Sequence, residues 1–465
     1  MDPALLRLLH CAQMDDLHTL GELLEIEASL ETLESSELSK KKRQKRRYQD
    51  TEILKKRSQP GYQSDAQILL KDFHEQQRTM KLTKFRPYKG QHMLLSLIHL
   101  PVEVIKEVVA TIGPRIQKRD SVRTIDEEHR VLLALHYLSQ GPCYRGAAEL
   151  VFDVAHNSIS GIVTEFCEAV IDEYAETMVK TPTTPQEWLK VARRFDERWQ
   201  IRALGAIDGK HFAIKKPAHS GSMFHNYKGH FSHVMLALVD ADYRFLWVDS
   251  GNMGSNSDAQ IFNGSDLREN ILKRTLGIPD DDYIKGDTHP EEKKMKIPYF
   301  ILGDDAFALT EWLVKPFVPP PSTLLPTKYR ISNYRISRGR RVVENAFGIL
   351  VSIFRALLKR QDLNLSNCVL AVKACICLYN LILERKPAYI EARSDRVEAH
   401  GAGEEPGEWR ARGEYLVEGP IPVKTDEYDS ALARVQRDYL SEYFNCFGGA
   451  VEWQERAVRF SKNQD

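Results

Sequence analysis

The chain has 465 residues, of which 42% are hydrophobic and 28% charged, enough apolar material for about three units at a prior of roughly 150 residues each. Lys+Arg and Asp+Glu are both 65, so overall charge does not point to nucleic acid and attention moves to how the charges are distributed. The first residues carry acids too early for a secretory signal, seven cysteines are an odd number without a CxxC pair, and neither a disulfide scaffold nor a zinc ribbon is expected; these features read as a reduced, intracellular protein.

Residues 1–39 hold nine acids and one base, Arg7, and are expected to form an acidic amphipathic helix. Residues 40–47, KKKRQKRR, hold seven bases in eight. Such a run is a solvated arm that serves nuclear import or contact with nucleic acid. Residues 1–60 are therefore read as an acidic helix and basic arm.

Residues 61–180 are read as a helical domain. VEVIKEVVATI repeats apolar residues at three and four, EEHRVLLALHYLSQ follows, and Gly141-Pro142 breaks the pair. NSISGIVTEFCEAVIDEY begins at Asn157 or Ser158, either of which can N-cap, and is expected to bury Ile159, Ile162, Val163 and Phe166. Short helices with a tight turn before the last resemble a helix-turn-helix, although a plain bundle has the same pattern.

The composition changes after Pro182–Pro185. RALGAIDGKHFAIKKP and FSHVMLALVDADYRFLWVDSG predict three strands with a turn at Asp240–Asp242. SNSDAQIFNGSDLRENILKR predicts one capped helix, Pro279–Pro298 a charged loop, IPYFILGDD a short buried strand, and Pro316–Pro321 a break. Arg338–Leu358 and Leu365–Leu383 predict two amphipathic helices. The apolar stretch Cys368–Leu383 is 16 residues and contains Lys373 and Asn380, too short and polar for a membrane span. The order βββ-α-β-α-α implies an α/β domain at 195–385, one mixed sheet covered by helices. A charged linker at 386–429 and a C-terminal helix and tail at 430–465 complete the chain.

Three acids stand where strands and a helix could gather them: Asp208 after ALGAI, Asp304 after YFILG, and Glu344 in RRVVENAFGIL. Clustered carboxylates repel unless a cation neutralises them. Mg²⁺ and Mn²⁺ prefer such oxygen ligands, and two ions can clamp the oxygens of a phosphodiester. A plain ion-pair role is also open, because Arg340 and Arg341 stand at i−4 and i−3 from Glu344.

GAIDGKHFAI, NYKGHFSHVMLALVDADYRFLWVD, GSNSDAQIF, FILGDDAFAL and RRVVENAFGIL occur in that order. Together with the ending YLSEYFNCFGGAVEWQ they resemble the PIF/Harbinger superfamily of transposases and its domesticated relatives. The resemblance spans about 94–385 plus the tail. It implies an RNase H-like mixed-sheet nuclease core, an N-terminal all-helical, helix-turn-helix-like domain, and a catalytic triad of Asp208, Asp304 and Glu344 holding two divalent ions, Mg²⁺ or Mn²⁺. Asp305 follows Asp304 where the family usually has a small residue, and is a second candidate ligand. Asp258 matches another Asp of the family pattern, sometimes counted in the triad. SDAQIF resembles a helix start, so an N-cap, a DNA contact or support of the ligands suits Asp258 better than a shared ion.

The resemblance further implies DNA as substrate: terminal inverted repeats and a target joined to the freed 3′-OH. Lys210, Lys228, Arg340 and Arg341 beside the acids are candidate phosphate contacts, with His211, Lys215, Lys216 and Arg338 nearby. Arg145, Asn157 and Ser158 are candidate DNA contacts of the helical domain, whose third helix is poor in Lys and Arg and carries Glu165. A Myb-like DNA-binding partner, a homo-oligomer, a nuclear location and no membrane complete the expectation. The rival readings are a domesticated, non-catalytic DNA- or chromatin-binding protein and, less suited to the basic arm, a hydrolase of small phosphoesters.

Overall fold

A computed structural model describes residues 98–118, 125–141, 156–319, 324–394 and 429–460, with a few isolated positions besides. The acidic and basic segments at 1–60 and Arg145 lie outside the described residues. The chain divides into two units, Met1–Ala169 and Val170–Asp465.

In the first unit, α1 (Val102–Ile112) buries Val104, Ile105, Val108 and Ile112 at the predicted three-and-four spacing. Asp126 caps α2 (Glu127–Gln140) by accepting from His129 N at 2.8 Å, and Gly141 ends it at φ 84°. The third helix, α3 (His156–Met178), starts at His156, so Asn157 and Ser158 stand in its first turn instead of preceding it. Ile159, Ile162, Val163 and Phe166 are buried as expected, and Ser158 is exposed. Glu165 pairs with Arg130 and, at 3.0 Å, with Lys118. Its charge is therefore balanced within the unit and opposes phosphate less than the bare sequence implies.

The second unit begins at Val170, within α3, and continues into a helix that the sequence pattern does not announce. In α4 (Pro185–Trp199), Thr184 and Glu187 form a reciprocal capping box, and Pro185 occupies the first turn, where its missing N–H is harmless. Trp188, Ala192, Phe195 and Trp199 make one buried stripe.

Behind it lies a five-stranded mixed sheet, order β3-β2-β1-β4-β5. Its strands are β1 (Ala203–Ala213), β2 (Ser232–Val239), β3 (Phe245–Met253), β4 (Phe300–Leu302) and β5 (Leu313–Val314). The first three form the predicted antiparallel meander, while β4 pairs parallel with β1 and β5 parallel with β4. On one face, α4 and two short helices bury Leu204, Ile207, Leu236, Leu238, Ile261 and Phe262 in one cluster. Those short helices replace the single helix expected: α5 (Asp258–Asn263) and α6 (Asp266–Leu272) have separate caps, Ser257 and Ser265, and part at Gly264.

The other face takes α7 (Thr327–Ile353) and α8 (Leu365–Arg385); Phe245 of β3 packs on Phe347 and Tyr379. Helix α7 is 27 residues long and starts eleven before the predicted Arg338. Helix α8 is 21 residues, longer than the apolar stretch read from sequence. Among the described residues it is the one helix long and apolar enough to cross a membrane, and 67% of its most apolar window is buried in the fold, the mark of a core helix. Helices α9 (Pro387–Glu391), α10 (Ala431–Asn445) and α11 (Gln454–Phe460) complete the unit.

Candidate active site

Asp208 sits on β1, 7% exposed, with its carboxylate accepting the Gly209 N–H at 3.0 Å. The parallel register pairs Ala206 with Leu302. Two residues beyond that pair stand Asp208 on β1 and Asp304 just past the end of β4. Parallel strands in register bring such positions side by side, although 95 residues separate the two acids in sequence. Asp304 is partly buried, and its Oδ1 accepts the Ala306 N–H at 3.0 Å. Asp305 is exposed.

Glu344 reaches the same place from α7. Close approach of that helix depends on Gly339, where a Cβ would stand 2.6 Å from Leu302 Cδ1 and 3.2 Å from Ile201 Cγ2. One residue later, Arg340 places a guanidinium nitrogen 3.9 Å from Asp208 Oδ2 and 3.9 Å from Glu344 Oε1. The Arg340 side chain is 14% exposed, and its Nε has no hydrogen-bond partner. Positive charge therefore already stands between two of the three acids. The ion-pair reading of Arg340 and Glu344 holds, and the same guanidinium also binds Asp208.

The donors are hard carboxylate oxygens, the kind that Mg²⁺ and Mn²⁺ take, and the guanidinium marks where a cation is favoured. Among the described residues, however, no three His, Cys, Asp or Glu side chains are gathered closely enough to hold an ion as they stand. Glu344 is 41% exposed, and the Arg340 guanidinium stands between it and Asp208.

Asp258 lies elsewhere. Ser257, not Asp258, is the N-cap of α5. The Asp258 carboxylate fills the space beside Gly209, where a Cβ would meet Oδ1 at 2.0 Å. Consecutive residues of a strand face opposite ways. Asp258 therefore packs on the α5 face of β1, and Asp208 points to the α7 face.

The basic candidates also separate. Lys210 and Lys228 are partly buried near the β1–β2 connection, Lys215 and Lys216 are exposed, and Arg341 is partly buried on α7. Arg338 is instead structural: 5% exposed, it donates to Gln200 Oε1 at 2.6 Å and lies over Trp199 and Trp453. His211 is hydrogen-bonded through Nδ1 to Ser232 Oγ at 2.9 Å. Burial, followed by the charges of Lys228, His230 and Lys210, pushes its imidazole down to about 4, so it is neutral near pH 7.

Residues 207–380, the stretch that contains all of these acids, match the DDE superfamily endonuclease family. The chain carries a DDE superfamily endonuclease domain. The chain is 25% identical to "Protein ALP1-like" of Arabidopsis thaliana over 55% of its own length and 60% of that protein's. It is 25% identical to "Putative nuclease HARBI1" of Homo sapiens over 63% of its own length and 77% of the relative's, and 25% identical to the Xenopus laevis protein of the same name over 56% and 69%. No solved structure matches.

Proposed function

We propose that the chain is a DNA transposase that cuts at element ends and joins the freed 3′-OH to target DNA. The observation that carries this reading is the convergence of Asp208 and Glu344 on Arg340, with Asp304 just past the end of the neighbouring strand, in a stretch that matches the DDE endonuclease family. The sheet order, with an antiparallel meander and two parallel strands added at β1, supports an RNase H-like core.

Asp208, Asp304 and Glu344 would hold two divalent cations, Mg²⁺ or Mn²⁺, with Asp305 as an exposed auxiliary. When bound, the pair supplies Lewis-acid stabilisation of the attacking and leaving oxygens. Arg340 leaves the carboxylates and donates to a non-bridging phosphate oxygen, a geometry its planar fork suits. Lys210, Lys228 and Arg341 position the backbone. Water attacks the phosphodiester and the 3′-oxygen leaves with a proton; that 3′-OH then attacks a target phosphodiester, whose own 3′-oxygen is displaced and takes up the released proton, so no covalent enzyme intermediate forms.

The same reading includes nuclear entry through residues 40–47, DNA contact by Arg145, Asn157 and Ser158 in the helical unit, homo-oligomer formation, and help from a Myb-like DNA-binding partner. The test is incubation of the purified chain with terminal-repeat DNA and Mg²⁺ or Mn²⁺, scoring 3′-OH ends and joined products. DNA binding without any cleavage in either metal sinks the transposase reading in favour of a non-catalytic DNA-binding protein.

A further inference from the structure

Between Asp208 and Asp240 the chain has no acid, four lysines and five histidines. This stretch begins beside Asp208 and takes in the end of β1, the connection at 214–231 and β2. Within it, residues 226–230 make a tight turn built on Asn226, which is 3% exposed. Asn226 Oδ1 accepts the N–H groups of Lys228 at 3.0 Å and His230 at 3.2 Å. Its Nδ2 donates to Ser232 Oγ at 2.9 Å, the same hydroxyl that holds His211. The turn is thus fixed to β1 and β2 by buried polar contacts.

At its tip the turn presents Tyr227, 55% exposed. His211 meets the ring edge-on, with centroids 5.7 Å apart at 74°, and Lys228 Nζ lies 5.3 Å from the ring centroid. An apolar ring is held in place while most of its surface faces water, among cations and a neutral imidazole. His211 is three residues along β1 from Asp208, about 10 Å at the rise of a strand, and faces the other side of the sheet.

We propose that Tyr227 is a stacking platform for an unpaired nucleobase of bound DNA, a few nucleotides away from the scissile phosphate. This rests on the reading that DNA is the substrate. Lysines alone suffice to follow a duplex backbone. An aromatic face gains from DNA only where a base is out of its pair, at a nick, an end or a distorted step. There stacking contributes about 1–3 kcal/mol per base. The rigid turn keeps the ordering cost of that contact small, and Lys228 can serve the adjoining phosphate.

The experiment uses the full chain in EDTA, so that binding is read apart from cleavage. Two terminal-repeat duplexes carry 2-aminopurine near the cleavage position, one fully paired and one with that base opposite a mismatch. The wild-type chain is expected to bind the mismatched duplex more tightly and to quench its 2-aminopurine fluorescence. Tyr227→Ala is expected to lose roughly tenfold in affinity for the mismatched duplex, with unchanged affinity for the paired one and an unchanged melting temperature. Tyr227→Phe, which keeps the ring, is expected to retain both affinity and quenching. Equal binding and quenching by wild type and Tyr227→Ala overturns the platform while leaving the DNA-substrate reading intact. A loss by Tyr227→Phe as large as that by Tyr227→Ala also overturns it, because the hydroxyl and not the ring then carries the contact. Failure of the wild-type chain to bind either duplex overturns both.

Discussion

Arg340 balances two acids at once, which fixes what single substitutions should do. Asp208→Asn, Asp304→Asn and Glu344→Gln each remove an anion with little change of volume. Each is expected to abolish cleavage in a gel assay while the melting temperature stays within a few degrees, since groups that act as a unit fail together. Wild-type cleavage by Asp304→Asn would move its role to Asp305. A second residue-scale prediction concerns acid. His233 is fully buried, neither ring nitrogen has a hydrogen-bond partner, and burial, with a smaller contribution from His211, pushes it down to about 4. The unfolded imidazole takes a proton below its ordinary 6.5, whereas the folded one waits until about 4. Stability present above pH 6.5 is therefore lost as pH falls towards 4. Asp240 works the other way: burial pushes it up to about 6, so its contribution weakens as pH rises from 3.8 to 6. Two depressed histidines, His211 and His233, outweigh one raised carboxylate, and the net acid limb slopes down. Urea titrations of His233→Leu across pH 7 to 4 are expected to show a shallower fall than wild type; an identical slope refutes the assignment.

Which elements could be seen in the sequence follows from how each is held. The meander β1–β3 and the core helix α8 carry long apolar patterns, and their order was readable. The two-residue β5 has no pattern of its own and exists because Ile301 N donates to Trp312 O and Gly303 N to Val314 O. Helix α4 hid behind Pro185, which reads as a breaker unless the Thr184–Glu187 box around it is noticed. Two serine caps and Gly264 divided α5 from α6 where one periodic run was expected. The acids Asp208, Asp304 and Glu344 were visible through their motifs, but Arg340's place between two of them depends on the helix-to-sheet distance, which no spacing encodes. Gly339 sets that distance. Gly339→Ala is expected to destabilise by about 1–3 kcal/mol through overpacking against Leu302. It should also lower cleavage by more than its effect on melting explains, because Glu344 is displaced with the helix. Normal cleavage and stability in this variant would mean that Leu302 yields without moving α7.

The second unit is completed by a segment remote in sequence. Residues 429–460 dock on α7: Arg335, 1% exposed, donates to Gly449 O at 2.9 Å and to Gln454 Oε1 at 3.1 Å, and Ser332 donates to Ser441 Oγ at 2.7 Å. Tyr439 donates to Asp287 and stacks on His289, tying α10 to the charged loop as well. Lys315 and Asp429 form an ion pair at 3.1 Å with both side chains almost wholly buried. Removing one partner of such a pair strands the other in a dry site. Lys315→Met is expected to cost about 3–5 kcal/mol by denaturant titration. Adding Asp429→Leu should recover much of that loss; a double variant no better than the single one would show that the pair is not the cause.

That docking has a consequence for synthesis. Arg335 on α7 meets its partners only after about a hundred further residues have been made, so the ribosome must release nearly the whole chain before α7 can settle on its final contacts. A stop codon or frameshift between 345 and 428 removes Asp429, Gly449 and Gln454 together and strands Lys315 and Arg335 inside the fold. Such messages are expected to yield protein that chaperones hold and proteases clear, even though every acid from Asp208 to Glu344 is still encoded.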